Sequence, residues 1–175
     1  DMDRIRDAFV EGARMGERCG FDMLELHMAH GYLLSAFITP LTNTRTDEYG
    51  GSLENRVRLP LEMFAAMREV WPKEKPLGIR ISAVDWVEGG ITIEDSIAFA
   101  HGLKAIGCDF IDVSSGGNDP NQKIKLGPGY QVQFASAIRK ATGMPVMAVG
   151  LITEAAQAEA IIANGDADAE PCHGR

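Results

Sequence analysis

Two imidazoles and a phenol stand within six residues of one another, at His27, His30 and Tyr32. They belong to the segment Leu24-Glu25-Leu26-His27-Met28-Ala29-His30-Gly31-Tyr32-Leu33. Near physiological pH these groups are neutral hydrogen-bond donors or proton carriers, suited to polarising a carbonyl oxygen. His27 and His30 are three apart, so on a continuing strand they would face opposite ways. Both reach one ligand only if the chain turns after His27, and Gly31 permits such a turn. A metal centre would need third and fourth ligands, and Glu25 is a candidate for one. The plainer alternative is a pair of satisfied structural histidines beside a packing tyrosine.

Further polar residues recur at period two on later apolar runs: Arg80 with Ser82, and Asp112 with Ser114, matching Glu25 with His27. A doubly wound sheet, covered on both faces, would carry mostly Val, Ile and Leu there. The lumen of a closed barrel with a polar upper end accounts for the alternation better. An Arg80 guanidinium pointing into such a lumen needs an anionic or carbonyl-rich partner, either a cofactor or Glu25. A purely structural Glu25–Arg80 pair is the alternative, since buried charges come paired.

The elements that must position these groups follow one recurring unit, an amphipathic stretch ending in Gly and then a short apolar run. It occurs at Arg18-Cys19-Gly20 before 21–27, at Ala105-Ile106-Gly107 before 109–115, and at Ala141-Thr142-Gly143 before 145–151. Ala163-Asn164-Gly165 repeats it before a doubtful strand near 167–170. Gly just past a helix supplies a left-handed stop, so each unit reads helix, stop, strand. Residues 77–82 form a further strand, entered through Pro72 and Pro76. Thr92 with Asp95, Thr153 before Glu154, and Ser52 ahead of a helix over 55–71 read as N-caps. Strands alternating with helices imply a parallel α/β sheet with right-handed crossovers.

The stretches 39–51 and 115–129 are long loops after strand ends, where function collects in parallel α/β folds. The turns Ser114-Ser115-Gly116-Gly117 and Val149-Gly150-Leu151, the latter beside the Thr153 cap, offer backbone N–H groups for an anion or phosphate. Four clear strands and a fifth cannot close an eight-stranded barrel of about 250 residues. The fold class is therefore α/β, a partial (β/α)8 TIM barrel, roughly its C-terminal half to two-thirds. A chain opening at Asp1 in helix-like sequence reads as a piece of something longer.

The net charge of -8 argues against nucleic-acid or anionic-membrane partners. No apolar run approaches the roughly 18 residues of a membrane span. Cys19, Cys108 and Cys172 lie far apart with no CxxC spacing, which favours free thiols in a reducing, cytoplasmic compartment.

The stretch His27-Met28-Ala29-His30-Gly31-Tyr32-Leu33-Leu34 resembles the active-site strand of the Old Yellow Enzyme family of flavin oxidoreductases. Asn43-Thr44-Arg45-Thr46-Asp47-Glu48-Tyr49-Gly50-Gly51-Ser52-Leu53-Glu54-Asn55-Arg56 resembles that family's signature loop. The likeness runs on through Gly78-Ile79-Arg80-Ile81-Ser82, Asp85-Trp86-Val87-Glu88-Gly89-Gly90 and Asp112-Val113-Ser114-Ser115-Gly116-Gly117. It ends with Gly127-Pro128-Gly129-Tyr130-Gln131 and Ala148-Val149-Gly150-Leu151-Ile152. These motifs span nearly the whole chain in order, and look most like the thermophilic-type, or xenobiotic-reductase, branch.

The resemblance implies one FMN-dependent oxidoreductase barrel domain over 1–175, lacking its N-terminal strands and atypical over 169–175. It implies reduction of activated C=C bonds of enones with NADPH or NADH, with nitro compounds and quinones as further substrates, and it allows a homo-oligomer. His27 and His30 would bind the substrate oxygen, and Tyr32 would be the proton donor. Arg80 would contact the flavin ring, and Ser115, Gly150, Gly174 and Arg175 would complete the cofactor site. Ser35 stands where that branch often has histidine, and Pro171 interrupts the expected last strand. The Arg45–Arg56 loop reads as mainly structural, its charges pairing within the loop. Two alternatives stay open: a noncatalytic half-barrel that does not retain FMN alone, and a metal-dependent aldolase using His27, His30 and Glu25.

Overall fold

The computed structural model describes residues 1–170. It begins with α1 (Met2–Arg18) and β1 (Leu24–Met28), followed by α2 (Leu33–Ile38) and α3 (Leu53–Val70). β2 (Leu77–Ser82), α4 (Ile93–Ala105), β3 (Ile111–Ser114), α5 (Val132–Thr142), β4 (Val146–Ala148) and α6 (Ala155–Ala163) complete the order. The four strands are parallel and lie in sequence order, β1-β2-β3-β4. A doubly wound sheet would reverse direction at a switch point. Unreversed order is the arc of a (β/α) barrel, as the polar alternation anticipated.

The strand register sorts the side chains into two faces. Leu26, Ile79, Ile111 and Val146 form one rung, and Met28, Ile81, Val113 and Ala148 stand on the same face. All are buried beneath the helices, joined by Met63, Phe64, Phe99, Leu103, Ala135 and Ile138. The opposite face carries Glu25 and His27, Arg80 and Ser82, Asp112 and Ser114, with His27, Arg80 and Asp112 on one rung. Lower on this inner face, Gly78 leaves room for the Phe110 ring: a Cβ there would lie 2.4 Å from it.

Helix ends follow local chemistry. Thr92 and Asp95 make a reciprocal capping box on α4, and Ser52 accepts from the Asn55 N–H at the start of α3. Gly143 closes α5 in the left-handed region at φ 65°. The Thr153 cap does not form. Glu154 is the N-cap of α6 and makes no side-chain cap bond, while the Thr153 N–H donates to Gln157. The chain leaves its turn one residue later than the threonine suggested. The fifth strand is reduced to a single parallel bridge, Met147 to Ala169. Residues 33–38, which begin at the end of the His27–Leu34 motif, form the short helix α2, which that motif gave no sign of.

The signature loop is built from backbone acceptors. The buried Arg56 donates to the carbonyls of Ile38 and Gly51, and Arg58 donates to that of Glu48. Asn43 donates to the carbonyls of both Phe37 and Tyr49. Arg45 pairs with the Asp47 carboxylate, and Arg58 lies 3.9 Å from that of Glu54. Cys19 and Cys108 are free thiols, and burial pushes Cys108 up to about 12. Among the described residues no helix is long and apolar enough to cross a membrane.

Candidate functional site

The site collects at the carboxyl ends of the strands, on the inner face. β1 presents His27 from its last turn of pleat, and the chain then reverses. The reversal is made at His30 itself, a non-glycine residue at φ 61°, with Gly31 following at φ 76°. Gly31 takes part in the turn as the sequence allows, but the imidazole-bearing residue adopts the strained conformation as well, a cost of order 1–3 kcal/mol that the surroundings must overcome. The turn brings the His27 and His30 rings to 5.3 Å between centroids, and the His27 and Tyr32 rings to 5.4 Å. The three groups predicted to act together therefore do meet.

Serines at the ends of β2 and β3 and one on α2 hold this turn by hydrogen bonds. The His30 N–H donates to Ser82 Oγ at 3.0 Å, and that hydroxyl donates to the Gly116 carbonyl at 2.6 Å. His30 Nε2 lies 2.7 Å from Ser114 Oγ. The Gly31 N–H donates to Ser35 Oγ, which donates to Asn118 Oδ1 at 2.6 Å. Asn118 in turn donates to Asp85 Oδ1 at 2.6 Å. Asp85, fully buried, also accepts from Thr39 Oγ1 and the Ile91 N–H. Ser35, at the position of an expected histidine, is thus one link of this chain. The loops also interlock sterically. A Cβ at Gly31 would stand 2.5 Å from the Gly117 carbonyl oxygen, and one at Gly117 would stand 2.5 Å from His30 Cα.

Electrostatics favour the neutral form of both imidazoles. Burial holds His27 and His30 below the ordinary histidine value, and the Arg80 cation lowers both further. His27 adds to the lowering at His30. Tyr32 is two-thirds exposed (67%), its ring at the mouth of the site. Glu25 remains exposed on the inner face, yet partial desolvation of its carboxyl, then the Asp112 charge, push it up to about 7, with Arg80 pulling the other way.

Arg80 does not pair with Glu25. Its Nε lies 3.4 Å from Asp112 Oδ2, because the register sets Asp112 beside Arg80 and sets Glu25 one rung lower, opposite Gly78. The Nε–H is buried and makes no hydrogen bond. A cleft of about 360 Å³ opens here, lined by Arg80, Ser114, Tyr130, Gln131, the 149–153 turn and Glu170. Gly150 sits at φ 113°, and a Cβ there would press to 2.9 Å on the Gln131 amide. A half-buried cation whose Nε–H makes no hydrogen bond at one end, and a glycine-only backbone turn at the other, fit the ring and phosphate ends of a flavin nucleotide.

Ser115 is turned away from this cleft. Its hydroxyl accepts from Trp86 Nε1 at 2.9 Å and donates to Gln131 Oε1 at 2.6 Å, so the neighbouring Ser114 is the hydroxyl that lines the cleft. Strand pleat explains the exchange, since adjacent residues at a strand end face opposite ways. Gly174 and Arg175 lie outside the described residues. No three His, Cys, Asp or Glu side chains gather to hold a metal ion among the described residues, so the His27, His30 and Glu25 set does not form. The supporting residues Asp85, Trp86 and Gln131 were visible only as members of motifs, and Asn118 lies just past one. Nothing in their spacing disclosed that they bond to one another.

Residues 1–169 match the NADH:flavin oxidoreductase / NADH oxidase family. The chain is 48% identical over 168 residues to an NADPH dehydrogenase of Geobacillus thermodenitrificans, covering 96% of this chain and 48% of that protein. It therefore spans about half the length of the curated relatives it matches. A 2-naphthoyl-CoA reductase complex superposes with a TM-score of 0.89 at 30% identity, over 98% of this chain and 27% of that one. An old yellow enzyme homologue from Zymomonas mobilis superposes at 0.79 and 28% identity, over 98% and 47%. Fold, motif order and these likenesses agree: the chain belongs to the NADH:flavin oxidoreductase / NADH oxidase family.

Proposed function

We propose that this chain carries the substrate-oxygen site of an FMN-dependent NAD(P)H oxidoreductase that reduces activated C=C bonds of α,β-unsaturated carbonyl compounds. The observation that carries the reading is the convergence of His27, His30 and Tyr32 beside Arg80 on the inner face. FMN, reduced by NADPH or NADH, supplies the hydride for the substrate's β-carbon. Arg80, whose Nε–H makes no hydrogen bond, would contact the flavin ring, and the Gly150 turn would hold the phosphate. Ser114 is the hydroxyl available to the cofactor in place of Ser115.

The two histidines receive the substrate oxygen. As neutral imidazoles they carry one N–H each and stabilise negative charge developing on that oxygen without surrendering a full proton. Loss of one such donor typically costs about 10²–10³ in rate. Tyr32 brings a phenol O–H to the site and is the proton donor to the α-carbon. Its exposure leaves the phenol open to renewal of the proton from solvent. Enones, nitro compounds and quinones all present an oxygen that such a clamp would hold.

A noncatalytic half-barrel is the second reading, favoured by the exposure of Glu25 and His27 on the inner face. An absorbance scan of the purified chain mixed with FMN separates the two. A bound flavin band, reduced by NADPH and reoxidised by an enone, supports the oxidoreductase. Failure to retain any flavin supports the half-barrel reading. His27→Ala should then weaken a phenolic ligand, and unchanged affinity would remove the oxygen-binding role.

A further inference from the structure

The polar groups behind His30 form a hydrogen-bond chain whose direction can be worked out from one end. Trp86 Nε1 is a donor only, so at 2.9 Å it obliges Ser115 Oγ to accept. Ser115 must spend its own proton elsewhere, and Gln131 Oε1 lies 2.6 Å away. With the Gln131 amide turned over, Ser115 would face two donors and lose this acceptor. The amide oxygen therefore points at the serines.

Ser114 Oγ then has one proton and two acceptors to choose between. Gln131 Oε1 is 3.3 Å away and already holds the Ser115 proton, whereas His30 Nε2 is at 2.7 Å. The shorter contact falls at the mode for a hydroxyl donor, while the longer one lies beyond its usual range. A hydroxyl that donates to Nε2 obliges that nitrogen to be the lone-pair nitrogen of a neutral ring, leaving the proton on Nδ1.

We infer that Ser114 is a positioning residue that holds His30 as its Nδ1–H tautomer, so that the ring offers a donor, not a lone pair, away from Ser114. Trp86, Ser115 and Gln131 act through Ser114 by occupying the alternative acceptor. This inference rests on the oxygen-clamp reading for its purpose but not for its test. An imidazole held the other way would present a lone pair to the substrate oxygen and would repel it. The backbone contributes as well: the His30 N–H is anchored on Ser82, so ring and main chain are each held by the serine of a different strand.

Long-range proton–nitrogen spectra of the 175-residue chain report the tautomer of each of its four histidines without flavin or substrate. A His30→Gln variant assigns the resonance. The expected result at pH 8 is a His30 signal protonated at Nδ1 alone. Ser114→Ala should let the Nε2–H form appear as a major species, while Ser114→Thr, which keeps the hydroxyl, should retain the Nδ1–H form. A wild-type ring protonated at Nε2 would overturn the inference, whatever the variants do. So would a Ser114→Ala protein, folded by its amide spectrum, with an unchanged His30 signal. A correct tautomer in a protein that binds no phenolic ligand would instead count against the oxygen clamp alone.

Discussion

Asp85 offers the sharpest test of how the His30 turn is held. Its carboxylate is fully buried and accepts three hydrogen bonds, from Thr39 Oγ1 at 2.5 Å, Asn118 Nδ2 at 2.6 Å and the Ile91 N–H at 2.9 Å. Asp85→Asn keeps the shape and removes the charge. Bonds to a charged acceptor contribute about 1.5–3 kcal/mol and neutral ones about 0.5–1.5, so three downgraded bonds cost roughly 3 kcal/mol. One of the three also becomes donor against donor, with the introduced amide N–H facing Asn118 Nδ2. Turning the Asn118 amide relieves that clash but leaves the Ser35 hydroxyl without its acceptor, which passes the fault to Gly31 and His30. The exchange Asp85→Asn with Asn118→Asp restores every donor–acceptor pair along the chain. Urea denaturation should give a loss of about 3 kcal/mol for each single variant, and for a chain of this size roughly 6–12 °C in Tm. The double variant should recover at least half of the summed loss, a coupling far outside the few tenths of a kcal/mol expected for independent sites. Single losses below about 1 kcal/mol, or a double variant equal to the sum of the singles, would refute this account of the turn.

Other perturbations test separate parts of the structure. The folded pKa of Glu25 is raised from 4.5 to about 7, so its contribution is fully present below 4.5 and is lost as pH rises toward 7. Glu25→Gln should therefore stabilise the protein at pH 8 but not at pH 4, as read by denaturation at both. The histidines carry the opposite sign: with folded values below 6.5, His27 and His30 make stability fall as pH drops beneath 6.5, and a His27→Gln, His30→Gln double variant should flatten that slope in the same titration. Gly78→Ala drives a methyl to 2.4 Å from the buried Phe110 ring and should cost about 1–3 kcal/mol by overpacking, checked by thermal melting. Tyr32→Phe should slow reoxidation of reduced flavin by an enone and leave its reduction by NADPH unchanged in stopped-flow traces; slowed reduction would contradict the proton-donor role.

Much of the architecture is legible because its causes are local. The run 77–82 becomes β2 at the expected residues because it is short, apolar and entered through proline. Glycine stops and the Thr92–Asp95 box act over one helical turn, and they appear where the sequence puts them. Thr153 fails for an equally local reason: helix α6 starts one residue beyond the position where its side chain could cap. The Glu25–Arg80 pairing fails for a non-local one. Period-two alternation tells which face a residue takes, but not which rung it shares with the next strand, and the register gives Arg80 to Asp112.

The residue types at 27, 30 and 32, the inward polar alternation and the helix–strand rhythm were determined by the sequence alone, since each depends on neighbours within a few positions. Only the tertiary structure decided that His30 itself takes the left-handed turn, because that conformation is strained in isolation and is held by Ser82, Ser114 and the Asp85 chain from other strands. It also decided which serine faces the cleft, a matter of where the pleat of β3 ends. Hydrogen-bond partners far apart in the chain, such as His30 with Ser82 and Ser114, leave no trace in spacing; the fold brings them within 3.0 Å.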